Sequence, residues 1–311
     1  MTVNCNRHFL ADRESPARVL PSDWPYRQAS AFLIKGHINW HVQTFAARRP
    51  TPLTLLLLHG TGASTHSWSE LIEPIRQFAC VIAPDLPGHG FTRGATAKDL
   101  TLSGMASALQ DLIVAMNVQG PLVVVGHSAG APLAIEWALQ EGGAKTNLFT
   151  IQKIIGLNPS LVPPPTLYTS LLGPMVAPIA TSSPMTGLLA YIAANTAMVD
   201  QLLDSTGSAI PTHSRRHYRF LFSQSQHVQG AMGFMAGADL PAMLERSKRL
   251  TIPTAFLLGK TDPWVKEEPL QKVIATSFPK ASVTVWPGGH VLHETEPKRV
   301  SEYLQTIALT T

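Results

Sequence analysis

From Leu53 onward, uninterrupted apolar runs of strand length alternate with longer stretches whose apolar residues recur at helical spacing. The runs are LTLLLLHG (Leu53 to Gly60), CVIAPDL (Cys80 to Leu86), PLVVVGHS (Pro121 to Ser128), IIGLNPS (Ile154 to Ser160), TAFLLGKTD (Thr254 to Asp262) and SVTVWPGG (Ser282 to Gly289). A strand that is apolar at every position leaves no face for water. This predicts a parallel sheet covered by helices on both faces, with ligand chemistry at the carboxyl ends of the strands. The segment before these runs differs: SAFLIKGHINWHVQTFA alternates apolar and polar residues around Gly36, the pattern of an antiparallel hairpin. The fold class is therefore α/β, with a mostly parallel central sheet.

One interval breaks the rhythm. Between Asn158 and Thr254 the chain is several times longer than an ordinary crossover connection. The interval is rich in Pro, Met, Ala and Leu, with helix-like pieces in MTGLLAYIAANTAMVDQLL and HVQGAMGFMAGADLPAML. The expected organisation is a leader over 1–25, a core over 26–158 and 246–311, and a helical cap over 159–245 inserted after the sixth strand.

Composition narrows the class. A chain of 311 residues with 45% hydrophobic content can bury a full core, which excludes a disordered or fibrous protein. A net charge of +4 is too mild to imply nucleic-acid binding, and the densest basic cluster, HSRRHYR from His213 to Arg219, reads as a solvated helix face. Two cysteines, Cys5 and Cys80, cannot make a disulfide framework. A buried thiol at Cys80 and a reducing, cytoplasmic setting are the expectation. The N-terminal residues carry charges of both signs without an apolar stretch, so no signal peptide is expected. The longest apolar region is broken by Pro174, Pro178 and Pro184, so no spanning helix is expected. Contact with a membrane surface stays open.

The chemistry begins at GHSAG. A serine boxed by Gly126 and Gly130, at the junction of a valine run and a helical pattern, is the arrangement of a nucleophile elbow. A serine hydroxyl needs a base, and the base needs a carboxylate to fix its tautomer. Asp262 lies just beyond one strand and His290 on a Gly-rich loop beyond the last, giving the order Ser, acid, His. His293 is the weaker candidate base, and Asp85, which precedes the serine, reads as a turn-structuring carboxylate. Asn158 stands where some proteins of this plan carry the acid, which leaves Asp262. Backbone N–H groups of Thr61, in HGTGAS, and Ala129 are the candidate oxyanion donors, and His59 reads as structural. No Walker A, Rossmann or zinc-protease pattern occurs, so neither a cofactor nor a catalytic metal is expected.

With these motifs in order, the chain resembles the α/β-hydrolase superfamily from about Asp23 to Ile307. HGTGASTHSW, APDLPGHGFT and VVGHSAGAPLA, with DWPYRQAS and INWHVQ, look like the family of magnesium-chelatase accessory proteins of bacteriochlorophyll biosynthesis. That resemblance puts the nucleophile on Ser128, the acid on Asp262, the base on His290 and the oxyanion donors on Thr61 and Ala129. It implies a role near magnesium insertion into protoporphyrin, with chelatase subunits as partners and a setting beside photosynthetic membranes.

Two functions follow. The first is a serine hydrolase acting on an ester-type bond of an apolar, tetrapyrrole-related substrate, with Trp68, Tyr168, Met175, Met232 and Phe234 as candidate binding residues. The second is an accessory or tetrapyrrole-binding protein on a hydrolase fold, in which His213 or His217 could ligate magnesium. A retained serine, acid and histidine favour the first.

Overall fold

In a computed structural model, which describes residues 20–140, 147–162 and 181–310, the apolar runs become strands of one eight-stranded sheet. They are β1 (Ser30–Lys35), β2 (Ile38–Phe45), β3 (Thr54–Leu58), β4 (Cys80–Pro84), β5 (Gly120–His127), β6 (Phe149–Leu157), β7 (Thr254–Gly259) and β8 (Ser282–Trp286). Their spatial order is β1-β2-β4-β3-β5-β6-β7-β8. The predicted hairpin is β1 with β2, turning at Gly36 and His37, and β2 meets β4 antiparallel. Every later pairing is parallel.

Alternation along each strand explains why the runs are apolar throughout. Successive side chains point to opposite faces. Leu56, Leu58, Val124, Ile154 and Phe256 enter one core, and Leu55, Leu57, Val123, Val125, Ile155 and Leu257 enter the other. The first core is closed by α2 (Leu102–Ala115), α3 (Gly130–Leu139) and α9 (Glu267–Ser277); the second by α1 (Ser69–Ile75), α10 (Leu292–Thr295) and α11 (Pro297–Leu309). The α/β layering is the one expected.

Between β6 and β7 lie α4 (Ser183–Asn195), α5 (Met198–Asp204), α6 (Thr212–Phe222), α7 (Ser225–Gly237) and α8 (Leu240–Ser247). HSRRHYR falls in α6 and is less solvated than expected. His217 and Tyr218 turn inward, while Arg215 and Arg219 pair with Asp200 and Arg215 also reaches Asp204. At the other end, Leu20 and Trp24 are buried, Trp24 lying edge-on to Phe91 at 4.8 Å. Cys80 is buried as expected, but it is disulfide-bonded, so the expectation of a reduced thiol is not met; Cys5 lies outside the described residues. Among the described residues no helix is long and apolar enough to cross a membrane.

Candidate active site

Ser128 is raised between β5 and α3 on a turn with almost no slack. Its φ is +50°, a left-handed conformation that costs a non-glycine residue about 1–3 kcal/mol. The flanking glycines are required by contact. A Cβ on Gly126 would lie 2.4 Å from Ala131 N, and one on Gly130 would lie 2.1 Å from Leu58 O. The elbow is tied to β6 on both sides: Ser128 N–H donates to Leu157 O (3.0 Å), and Ser160 N–H donates to Ser128 O (3.1 Å).

His290 and Asp262 come to this turn from the ends of β8 and β7. His290 Nδ1–H donates to Asp262 Oδ2 at 2.7 Å, and His290 Nε2 lies 3.0 Å from Ser128 Oγ. With its proton on Nδ1, the imidazole offers a lone pair at Nε2, so the Ser128 hydroxyl is the donor. Asp262 is held by the N–H groups of Trp264 (2.8 Å) and Val265 (3.0 Å) on Oδ1 and by Asn158 Nδ2 (2.8 Å) on Oδ2. Burial alone would raise its pKa, but the hydrogen bonds from His290, Val265 and Asn158 outweigh burial and lower it. The histidine's backbone is fixed too: its N–H donates to Thr206 O (2.9 Å), and its carbonyl accepts from His127 Nε2–H (3.0 Å). The double glycine before it serves close approach, since a Cβ on Gly289 would lie 2.4 Å from Gly207 O.

Ser128 and His290 open on a cavity of about 350 Å³ between the strand ends and helices α4 to α8. Thr61 and Ala129 line it beside Ser128. Among the described residues neither of their N–H groups has a hydrogen-bond partner. Met232 and Phe234 line it from α7. Trp68 does not, and that expectation is corrected. The short helix Thr65–Trp68 turns the indole into the sheet's second core, fully buried and 4.6 Å from the His293 ring. Tyr168 and Met175 lie outside the described residues.

The remaining candidates take structural positions. His293 is wholly buried against His127, with centroids 4.2 Å apart, and burial lowers its pKa well below the histidine range; it does not reach the serine. Asp85 accepts from Thr65 N–H (2.7 Å) and Phe91 N–H (2.8 Å) and pairs with His41 at 2.7 Å, tying the short helix at Thr65 and the loop at Phe91 to β2. His59 accepts from Leu86 N–H (2.9 Å) and donates to Gly60 O (2.8 Å). His213 pairs with Glu70 at 3.1 Å, and His217 donates to Asp23 O at 3.2 Å. Among the described residues no group of three or more His, Cys, Asp or Glu is placed to hold a metal ion. Two residues not foreseen as parts of the site touch it directly: Asn158, on the Asp262 carboxylate, and Ser160, whose Oγ lies 2.9 Å from Ser128 Oγ. The only sequence signal for either is their place at the carboxyl end of an apolar strand.

The chain belongs to the alpha/beta hydrolase family, whose model matches residues 55–303. Solved structures similar in fold include the enol-lactonase from Burkholderia xenovorans LB400 (TM-score 0.70, 11% identity, covering 90% of this chain and 100% of that one) and a hydrolase from Pseudomonas aeruginosa PA01 (TM-score 0.66, 18% identity, covering 90% and 98%). In sequence the chain is similar to the magnesium-chelatase 30 kDa subunit of Rhodobacter capsulatus, 34% identical over 282 residues that cover 89% of this chain and 93% of that protein. The family resemblance carried by the HGTGASTHSW, APDLPGHGFT and VVGHSAGAPLA strings is thereby met.

Proposed function

We propose that this protein is a serine hydrolase that cleaves an ester-type bond of an apolar substrate in magnesium-tetrapyrrole synthesis. The observation that carries the reading is the hydrogen-bonded run Ser128–His290–Asp262 opening on an apolar cavity. In the first step the Ser128 proton passes to His290 Nε2 as Oγ bonds to the substrate carbonyl carbon, and the carbonyl π pair moves onto oxygen. Thr61 and Ala129 N–H groups receive that oxyanion; such donors contribute about 10²- to 10³-fold each. Asp262 stabilises the imidazolium, which then protonates the leaving oxygen. Water, deprotonated by His290, releases the acyl group and restores the serine.

The cavity is at the small end of ligand sites, which span about 300–1,000 Å³, so it suits one acyl or ester arm of a larger molecule. The link to magnesium tetrapyrroles rests on the chelatase-subunit relative. That relative also supports a second reading, an accessory protein that binds a tetrapyrrole beside chelatase subunits and uses the hydrolase fold without turnover. A fluorophosphonate probe separates the two. Labelling of the wild type, lost in Ser128→Ala and slowed by protoporphyrin or its magnesium complex, is the expected result. No labelling of folded wild-type protein would sink the hydrolase reading, and full pigment synthesis in cells carrying Ser128→Ala would favour the accessory one.

A further inference from the structure

Ser160 ends a rigid approach to the nucleophile. Asn158, with φ of +44°, turns the chain out of β6, its N–H donating to Leu257 O at 2.8 Å. Pro159 follows, and Leu161 N–H closes a tight turn onto Pro159 O at 2.8 Å, with Ser160 at its apex. The Ser160 N–H donates to Ser128 O, so two backbones fix how the side chains face each other. Their hydroxyl oxygens are 2.9 Å apart, and both line the cavity.

Counting protons assigns the direction of this contact. His290 has its proton on Nδ1, toward Asp262, and Nε2 must accept from Ser128. The single Ser128 proton is therefore committed, and Ser128 Oγ can only accept from Ser160. We infer that Ser160 is a further catalytic residue: its hydroxyl donates to Ser128 Oγ and stabilises the negative charge that gathers there as His290 takes the proton. The inference rests on the hydrolase reading above. A hydrogen bond to a neutral hydroxyl strengthens when that oxygen becomes anionic. The bond is therefore stronger in the transition state than in the resting protein, which is the condition for accelerating chemistry. It weakens once Oγ carries the acyl group and returns when Oγ leaves at deacylation. Both steps gain, and substrate binding does not.

The test uses the full chain with a fluorophosphonate and p-nitrophenyl butyrate as probes. Ser160→Ala is expected to slow inactivation and to lower kcat by about ten- to a hundredfold with KM unchanged, the signature of an interaction made only in the transition state. Ser160→Thr, which keeps the hydroxyl, is expected to recover most of the rate. Near-wild-type melting of both variants checks that the fold is kept. A wild type that reacts while Ser160→Ala reacts equally fast overturns this assignment alone. So does a folded Ser160→Thr as slow as Ser160→Ala. A wild type that reacts with neither probe overturns the hydrolase reading and this assignment with it.

Discussion

Helices α3 and α4 face the same cavity region from opposite sides, and they are built to different standards. α3 buries every residue from Gly130 to Ala138. α4, also apolar, buries only Thr186, Ala190 and Ala193, and leaves Leu188 52% and Tyr191 68% exposed. The contrast extends to the walls they belong to. On the strand side, Ser128, His290 and Asp262 are fixed by backbone hydrogen bonds from β6, from the turn after β7 and from Thr206. On the helix side, the cavity is met by Leu202, Phe222, Met232 and their neighbours, whose contacts are non-directional. The arrangement separates functions. On the hydrolase reading, atoms that must meet within tenths of an ångström stand on the rigid wall, and shape selection is left to a wall that tolerates repacking.

The strongest way to break this comparison is to damage the rigid wall without unfolding it. On the hydrolase reading, His290→Ala and Asp262→Asn should each lower the turnover of a p-nitrophenyl ester by about 10³- to 10⁴-fold. Their melting temperatures should stay near that of the wild type. Met232→Ala, on the opposite wall, should change KM with little effect on kcat. If the methionine variant lost as much turnover as Asp262→Asn, the division of labour between the walls would be wrong.

A middle-sized effect is expected where the two walls touch through backbone. A Cβ on Gly230 of α7 would lie 2.0 Å from Gly88 O, an approach only glycine permits. Beside it, Gly90 N–H donates to His227 Nδ1 (3.0 Å), and His227 Nε2–H donates to Gly62 O (3.1 Å). Gly230→Ala must push α7 off this loop, at a cost of about 2–4 kcal/mol. Thermal melting should fall by several degrees; an unchanged melting curve would mean that α7 is free to slide.

The two walls were unequally legible. The strands announced themselves because burial on both faces leaves an unbroken apolar run, and the elbow because two glycines bracket a serine where a strand meets a helix. Ser128, Asp262 and His290 could be listed together because each follows a strand, and the strands of a parallel sheet end on one edge. Proximity across that edge carries no such pattern. Asn158 reaches Asp262 across 104 positions, and Ser160 reaches Ser128 across 32; short polar residues in a loop show no period. Trp68 illustrates the opposite error: an aromatic residue after a cavity loop suits a pocket and a core equally, and only the turn of the short helix before it decides. In α6 the charges suggested a solvated face, yet the same stretch carries His217 and Tyr218 into the interior.

The smallest predicted effect concerns a buried carboxylate that joins the walls from below. Glu294, on α10 just beyond His290, is 4% exposed and accepts from Ser214 (2.5 Å) and Tyr218 (2.6 Å), both on α6. Burial pushes its pKa up from 4.5 to about 7, with Glu70 adding to the rise, against the two hydroxyl donors that lower it. A folded-state pKa above the unfolded one means that the folded protein binds more protons between those values, so stability falls as pH rises through that window. The buried histidines act in the opposite sense. Burial lowers the pKa of His127 to about 3 and of His227 to about 4, so their contribution is lost as pH falls below about 6.5. Comparing Glu294→Gln with the wild type cancels the histidines. The amide can still bond both hydroxyls without ionising, so the variant should be more stable than the wild type by about 1–3 kcal/mol near pH 8, with the gap narrowing as pH falls through about 7 and closing toward about pH 4.5. Melting curves that stay parallel for the two proteins across that range would show that Glu294 does not titrate there, and that the tie between α6 and the His290 loop is indifferent to pH.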